Sequence, residues 1–480
     1  MAMAILAIDQ GTSGTKAILL DDDFQVIAKG YAPVATEHNQ SGAAQTTADA
    51  IWQSVIDSVN QVLSTTTEKI SAVGLANQGE SILAWDKKTG DALSPVIIWQ
   101  DSRSAALCQQ RQEHSQFVLS KTGLTIDPYF VAPKITWLKQ NYPQLPKDAV
   151  ITTTDTYLIY KLSGEFVTDK ATASRTLLFD LATRSFQQQL ADIWQIDISN
   201  LPAVINNDQV IGQIKTDQLP ALSGVVLAAA IVDQPAALFA QNCFSLGQAK
   251  CTFGTGAFLL TNIADQIKIS KNGLATSLAW QIKDSTSYYL DGQVFTAASA
   301  IEWLIANNFI AAPSDIDSLP DANGVIASPS FAGLGAPLWR PDATASIMGL
   351  GLNHDRSHIA SAMVDGIAAA VADLLSAVKS DGVEITTLRV DGGLTQSTKL
   401  MQMQADLAQI PVEQYAHPDA TAIGVGYLAA LAINPKLSIK DIAQRWQPAK
   451  VYLPKWSADQ SANYLSRWRG VQRVSLDREK

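Results

Sequence analysis

Short unbroken apolar runs alternate along the chain with longer segments in which apolar residues recur every third or fourth position. The runs Ala4 to Ile8, Ser71 to Leu75, Val96 to Trp99, Gly224 to Val232 and Thr387 to Val390 read as buried strands that end in Gly, Thr, Asp or Asn turns. The periodic segments Ala50 to Leu63, His358 to Val378 and Lys399 to Ala408 read as helices with one side toward a core. Strands alternating with helices predict an α/β architecture whose ligands sit at strand ends. At 480 residues the chain exceeds one ordinary hydrophobic core, and two large domains are expected.

A weak internal repeat supports the division. Gly11-Thr12 follows a strand and precedes Ala17-Ile-Leu-Leu20, and Gly254-Thr255 precedes Ala257-Phe-Leu-Leu260 about half the chain later. Two strand, Gly-Thr turn, strand units at that offset suggest similar domains facing each other, each giving a turn to one cleft. Without the offset, a Gly-Thr pair is common enough to arise by chance. The boundary falls in Asn242-Cys-Phe-Ser-Leu-Gly247, which gives domains over residues 1–245 and 246–480.

Composition narrows the partners. Apolar residues make up 47% and charged residues 17% of the chain, enough for compact cores and against long disordered segments. A formal charge of -10 and a pI near 5.0 give no general attraction to nucleic acid or an anionic membrane, so an anionic ligand must be held locally. Cys108, Cys243 and Cys251 have neither zinc-site nor disulfide spacing, which fits a reducing cytoplasm. The apolar start Met1 to Ile8 lacks a basic region and soon meets Asp9, as a buried strand does. No run approaches the roughly 18 uncharged apolar residues of a membrane helix, and a soluble protein is expected.

The candidate chemistry lies in the turns. In Asp9-Gln-Gly-Thr-Ser-Gly-Thr-Lys16, small residues let backbone N–H groups and the hydroxyls of Thr12, Ser13 and Thr15 approach a polyphosphate, and Lys16 adds a positive charge. The spacing is not that of a P-loop, and an ordinary hairpin explains the segment equally well. Phe253-Gly-Thr-Gly-Ala-Phe258 has the same two readings. Val390-Asp-Gly-Gly-Leu-Thr-Gln-Ser397 joins a strand to a helix, so its glycines admit a nucleotide or simply make a βα turn. Asp233-Gln234 closes the most apolar strand, where a carboxylate serves either as a proton acceptor or as a helix cap. Asn77-Gln-Gly-Glu-Ser81 and Trp99-Gln-Asp-Ser-Arg103 emerge at strand ends; Glu80 suits hydroxyl groups and Trp99 the C–H face of a polyol, although loop polar groups and a core-margin Trp are the commoner reading.

Taken together and in order, these segments resemble the FGGY carbohydrate kinases, within the superfamily of actin and the heat-shock chaperone ATPases. The likeness runs from about residue 5 to residue 432 and is strongest to the glycerol kinases, in Ala7-Ile-Asp-Gln-Gly-Thr12, Ile98-Trp-Gln-Asp101, Thr122-Gly-Leu-Thr-Ile-Asp-Pro-Tyr-Phe130, Asp233-Gln-Pro-Ala-Ala-Leu-Phe239, Phe253-Gly-Thr-Gly-Ala-Phe-Leu-Leu260, Gly333-Leu-Gly-Ala-Pro337 and Val390-Asp-Gly-Gly393. The resemblance implies two ribonuclease-H-like domains around a central cleft, with ATP and Mg²⁺ between the two Gly-Thr hairpins. It implies Asp233 as the base that takes the proton from the acceptor hydroxyl, and Asp9 with Asp233 near the metal. It places Thr12, Ser13, Lys16, Gly254 and Thr255 on the phosphates, and Gly392, Gly393 and Ser397 on the α-phosphate and adenosine side. Gly79, Glu80, Trp99, Tyr129, Asp233, Gln234 and Phe258 fall on the polyol pocket. A cytoplasmic enzyme acting on a small polyol or sugar, as a homodimer or homotetramer, fits this likeness.

Departures from the family pattern shape the expected substrate. Gly79 stands where the glycerol kinases carry Arg, which removes a planar donor and leaves space for a four- or five-carbon polyol or ketose. Ser397 replaces Asn and Ala298 replaces Gly on the nucleotide side, and Arg340 replaces Asp without a physical account from sequence. The segment from Ile211 to Val225 lacks the Gly-rich loop by which some bacterial glycerol kinases bind fructose 1,6-bisphosphate, so that feedback is not expected. A xylulokinase-like ketose kinase, a nucleotide-dependent interaction protein and a sugar sensor without turnover stay open at this point.

Overall fold

The computed structural model describes residues 3–340 and 342–476; Met1 and Ala2 of the first apolar run and the last four residues of the C-terminal half lie outside them. The first apolar run becomes the strand Ala4–Gln10, with Ile5, Leu6, Ala7 and Ile8 all buried, which explains its lack of polar alternation. It pairs antiparallel with Gly14–Leu20 and parallel with Ile70–Asn77. Val26–Pro33 continues the antiparallel side and Val226–Val232 the parallel side, with Gly212-Gln213 at the edge. The second sheet repeats this plan. Ala249–Phe253 lies antiparallel to Ala257–Asn262 and parallel to Leu388–Asp391; Ser285–Val294 extends one side and Val412–Tyr415 the other, with Ala275–Ile282 and Pro448–Tyr452 at the margins. The Gly-Thr turns therefore occupy the same place in both sheets, as the repeat requires.

A smaller sheet of five strands, among them Ile82–Asp86 and Ala149–Thr153, branches from the first half. It packs with the helix Val131–Asn141 over a core that includes Val118, Leu124, Ile135 and Trp194. The predicted strand Val96 to Trp99 is regular only over Val96–Ile97, because Asp101 N–H bonds Ile98 C=O at 3.0 Å and closes a turn.

Helices cover both sheets. Ala48–Thr65, capped by the Thr47 hydroxyl accepting the Ala50 N–H at 3.1 Å, lays Ile51, Val55 and Val59 against Leu6, Leu19 and Val73. The opposite face of the first sheet is covered by Ala420–Ile433, a helix apolar on every side that arrives from the second half. Contact there is close: a Cβ on Gly424 would stand 1.9 Å from the Ala236 carbonyl of the neighbouring helix Asp233–Ala240. Gly424→Ala is expected to cost about 1–3 kcal/mol or more by overpacking, and to lower turnover by displacing the Asp233 helix. Parental thermal stability and activity in that variant would contradict this contact.

One helix exceeds what the sequence suggested. Arg356–Ser380 has a window of mean hydropathy 1.6 and is long and apolar enough to cross a membrane. Seventy-two percent of that window is buried inside the protein, as expected of a core helix.

Candidate active site

The two sheets bring their strand ends to one cavity of about 380 Å³. Thr12 and Ser13 reach it from the first hairpin, Gly254 and Thr255 from the second. Gly79, Glu80, Trp99, Tyr129, Asp233, Gln234 and Phe258 line the same space, so every expected polyol-side residue is gathered there.

Aromatic side chains form one wall. The Trp99 ring meets Tyr129 edge-on at 5.8 Å between centroids and Phe258 at 5.9 Å, which joins the first half to the second. Trp99 is fixed by its indole N–H donating to the Thr12 hydroxyl at 2.9 Å and its backbone N–H to the Ser81 hydroxyl at 3.2 Å. Such a wall suits the apolar side of a polyol, and its Thr12 contact links it to the first hairpin turn.

Carboxylates form the other wall. Asp233 is the first residue of the helix Asp233–Ala240, directly after Val226–Val232, and its carboxylate accepts the Gln234 N–H at 2.6 Å. It is not the helix cap, a place held by Val232. Burial raises its pKa to about 7, with Asp9 and Glu80 adding to the rise and Lys250 opposing it. Asp9 rises to about 6 through burial, against the Lys16 charge. Glu80 sits at φ +54°, an uncommon backbone angle for a side chain of this kind, in the turn that points it at the cavity.

Gly79 has little room for a side chain along its own Cβ direction, where Val232 Cγ2 would be 2.9 Å away. Gly392, at φ +96°, lies against the second hairpin so closely that a Cβ would meet the Phe253 carbonyl at 2.4 Å. Gly393 faces open space. Ser397 caps the helix Thr398–Ala408 by accepting the Leu400 N–H at 3.2 Å and donates to Asp317 at 2.7 Å. Lys16 lies outside the cavity lining and pairs with Asp419 at 3.4 Å, with Lys29 on the same carboxylate at 2.6 Å. Arg340 forks onto Asp342 with two contacts of 2.8 Å, an exposed pair of small energetic weight.

Four residues of the site escaped the sequence reading. Arg175, 3% exposed, holds Glu80 and Asp291, donates to the Ser277 hydroxyl at 2.9 Å and lies near the faces of Tyr129 and Phe130. Asp291 and Tyr289 line the cavity beside it. Lys250, fully buried behind the wall, donates to Gln234 and to the Thr252 hydroxyl, and its charge faces Asp391 and Asp233. Charged residues inside otherwise apolar strands, Lys250 between Ala249 and Cys251 and Asp291 after Leu290, were the available signal.

Among the described residues no group of three or more His, Cys, Asp or Glu side chains gathers as a metal cluster. Asp233 lines the cavity and Asp9, outside that lining, acts on it electrostatically; carboxylates of this kind suit a hard cation that takes one or two of them and fills its remaining positions with water and phosphate oxygens.

Two hairpin turns and a half-buried carboxylate lining one cavity, on sheets of repeated topology, define a phosphotransferase of the actin-like ATPase fold. Residues 4–240 match the N-terminal domain of the FGGY family of carbohydrate kinases and residues 249–433 its C-terminal domain, and the chain belongs to that family. It is 36% identical to the glycerol kinase of Acinetobacter baylyi over 482 residues, 97% of each chain, and 36% identical to that of Janthinobacterium over 495 residues, 99% of each. The crystal structure of Plasmodium falciparum glycerol kinase with ADP superposes with a TM-score of 0.93 at 31% identity, covering 99% of both chains. A Lactobacillus acidophilus xylulose kinase shares the fold at a TM-score of 0.88 and 22% identity, covering 99% of this chain and 97% of its own. The protein is a glycerol-kinase-like carbohydrate or polyol kinase.

Proposed function

We propose that the protein transfers the γ-phosphoryl group of ATP, bound with Mg²⁺, in line onto a primary hydroxyl of a small neutral polyol. The observation that carries this reading is Asp233, half-buried and with its pKa raised to about 7, lining the same cavity as Thr12-Ser13 and Gly254-Thr255. Asp233 accepts the hydroxyl proton as the new P–O bond forms, and Gln234, held by Lys250, orients the acceptor. The turn hydroxyls and N–H groups bind the phosphates; Asp9 and Asp233 are the residues that would hold the metal, which would supply charge neutralisation on the phosphate oxygens. Trp99, Tyr129 and Phe258 exclude water from the acceptor end. In this reading residues 1–245 carry the acceptor pocket and first phosphate turn, and residues 246–480 the second turn and the adenosine side near Gly392, Gly393 and Ser397. The reaction belongs to the cytoplasm, where ATP and reduced cysteines coexist.

A neutral acceptor follows from charge. Glu80, Asp233 and Asp291 line the cavity, and the one guanidinium among the described lining residues, Arg175, is held by two of them. A coupled ADP-release screen over glycerol, erythritol, ribitol, xylitol, xylulose, ribulose and gluconate tests the reading. Neutral acceptors should stimulate release and gluconate should not. Because the base acts ionised, kcat/KM should be full above pH 7 and fall about tenfold per unit as pH drops through about 7. A screen in which no alcohol raises ADP release, or gluconate leads, would refute the proposal.

A further inference from the structure

The acceptor end holds two carboxylates that share one cation and are each only half used. Arg175 Nε binds Glu80 through Oε1, and Arg175 Nη2 lies 2.9 Å from Asp291 Oδ2, the oxygen that also accepts from Gln293. Glu80 Oε2 and Asp291 Oδ1 have no hydrogen-bond partner among the described residues, and both side chains line the cavity. The shared guanidinium keeps both carboxylates in one cluster on the cavity lining, with the Tyr129 ring 5.8 Å from the same guanidinium. Acceptors of this shape are wanted by hydroxyl donors in sequence along a carbon chain.

Glu80 acts electrostatically on both Asp233 and Asp291, so with the reacting hydroxyl at Asp233 the Glu80 oxygen serves a near hydroxyl and the Asp291 oxygen one farther along the chain. A longer chain reaches it. Gly79 adds no side chain to the cavity, and Tyr289, 2% exposed, lines it together with Asp291. Resting on the kinase reading above, we propose that the preferred acceptor is a linear polyol of four or five carbons and that Asp291 determines this length by accepting a distal hydroxyl.

Steady-state ADP release is measured with glycerol, erythritol, ribitol and xylitol for the parental enzyme and for Asp291→Asn and Asp291→Glu. The parental enzyme should favour a four- or five-carbon polyol over glycerol by about tenfold or more in kcat/KM. In Asp291→Asn that ratio should fall about tenfold, with the loss in KM more than kcat, and Asp291→Glu should restore part of it. Glycerol exceeding every longer polyol in the parental enzyme overturns the inference while leaving the kinase reading intact. So does an unchanged ratio in Asp291→Asn. Absence of alcohol-stimulated ADP release overturns both. The parental panel decides the question even where a variant fails to fold.

Discussion

Asp233→Asn should retain ATP binding and lose turnover by about 10²–10⁴-fold, the contribution of a positioned general base. The amide is close in size to the carboxylate and can still accept the Gln234 N–H, so the helix start is kept. What it lacks is a lone pair basic enough to take the acceptor proton. Tryptophan fluorescence titration with ATP, with Trp99 bonded to Thr12 of the first hairpin turn, measures binding separately from ADP release. Turnover within tenfold of the parental enzyme would remove Asp233 from the role of base.

Arg175→Met should destabilise the fold by about 3–5 kcal/mol, because removal of one member of a buried ion network leaves charge uncompensated. Glu80 and Asp291 would face each other without the cation that now separates them, and the Ser277 hydroxyl would lose its donor. Methionine preserves much of the packing on Tyr129 and Phe130, so the loss reads mainly as electrostatics. The urea midpoint should fall at pH 8 and recover partly on acidification, since burial already raises the Asp291 pKa and protonation removes the repulsion. Lysine in place of Arg175 should recover less than the parental stability, as one ammonium cannot fork onto two carboxylates. A midpoint unchanged by Arg175→Met would show that the network carries no net stability.

Local pattern made much of this molecule readable. Strands such as Ala4–Gln10 and Val226–Val232 are buried on both faces and therefore appear as uninterrupted apolar runs. The half-chain spacing of Thr12 and Thr255 corresponds to equivalent turns in two sheets of like order. Long-range pairing was not readable. Arg175 has no neighbour in sequence that announces Glu80 or Asp291, and Lys16, which a phosphate-binding turn would explain, pairs with Asp419 from the far end of the chain. The capping of the helix Thr398–Ala408 by Ser397 was readable, but the partner its hydroxyl donates to, Asp317, lies 80 positions earlier and was not. The Gly79 departure was visible in sequence; the half-used carboxylates beside it required the fold.

The helix Ala420–Ile433 covers a sheet built almost entirely from the first half of the chain. During synthesis the nascent first half therefore waits with Ile5, Ala7 and Ile231 uncovered until Ile433 has left the ribosome. At about 5–20 residues per second the delay is on the order of ten seconds or more. Throughout that interval the sheet face is a surface for holdase chaperones, and premature termination before residue 420 releases a product that only the helix Asp233–Ala240 and its neighbours partly cover.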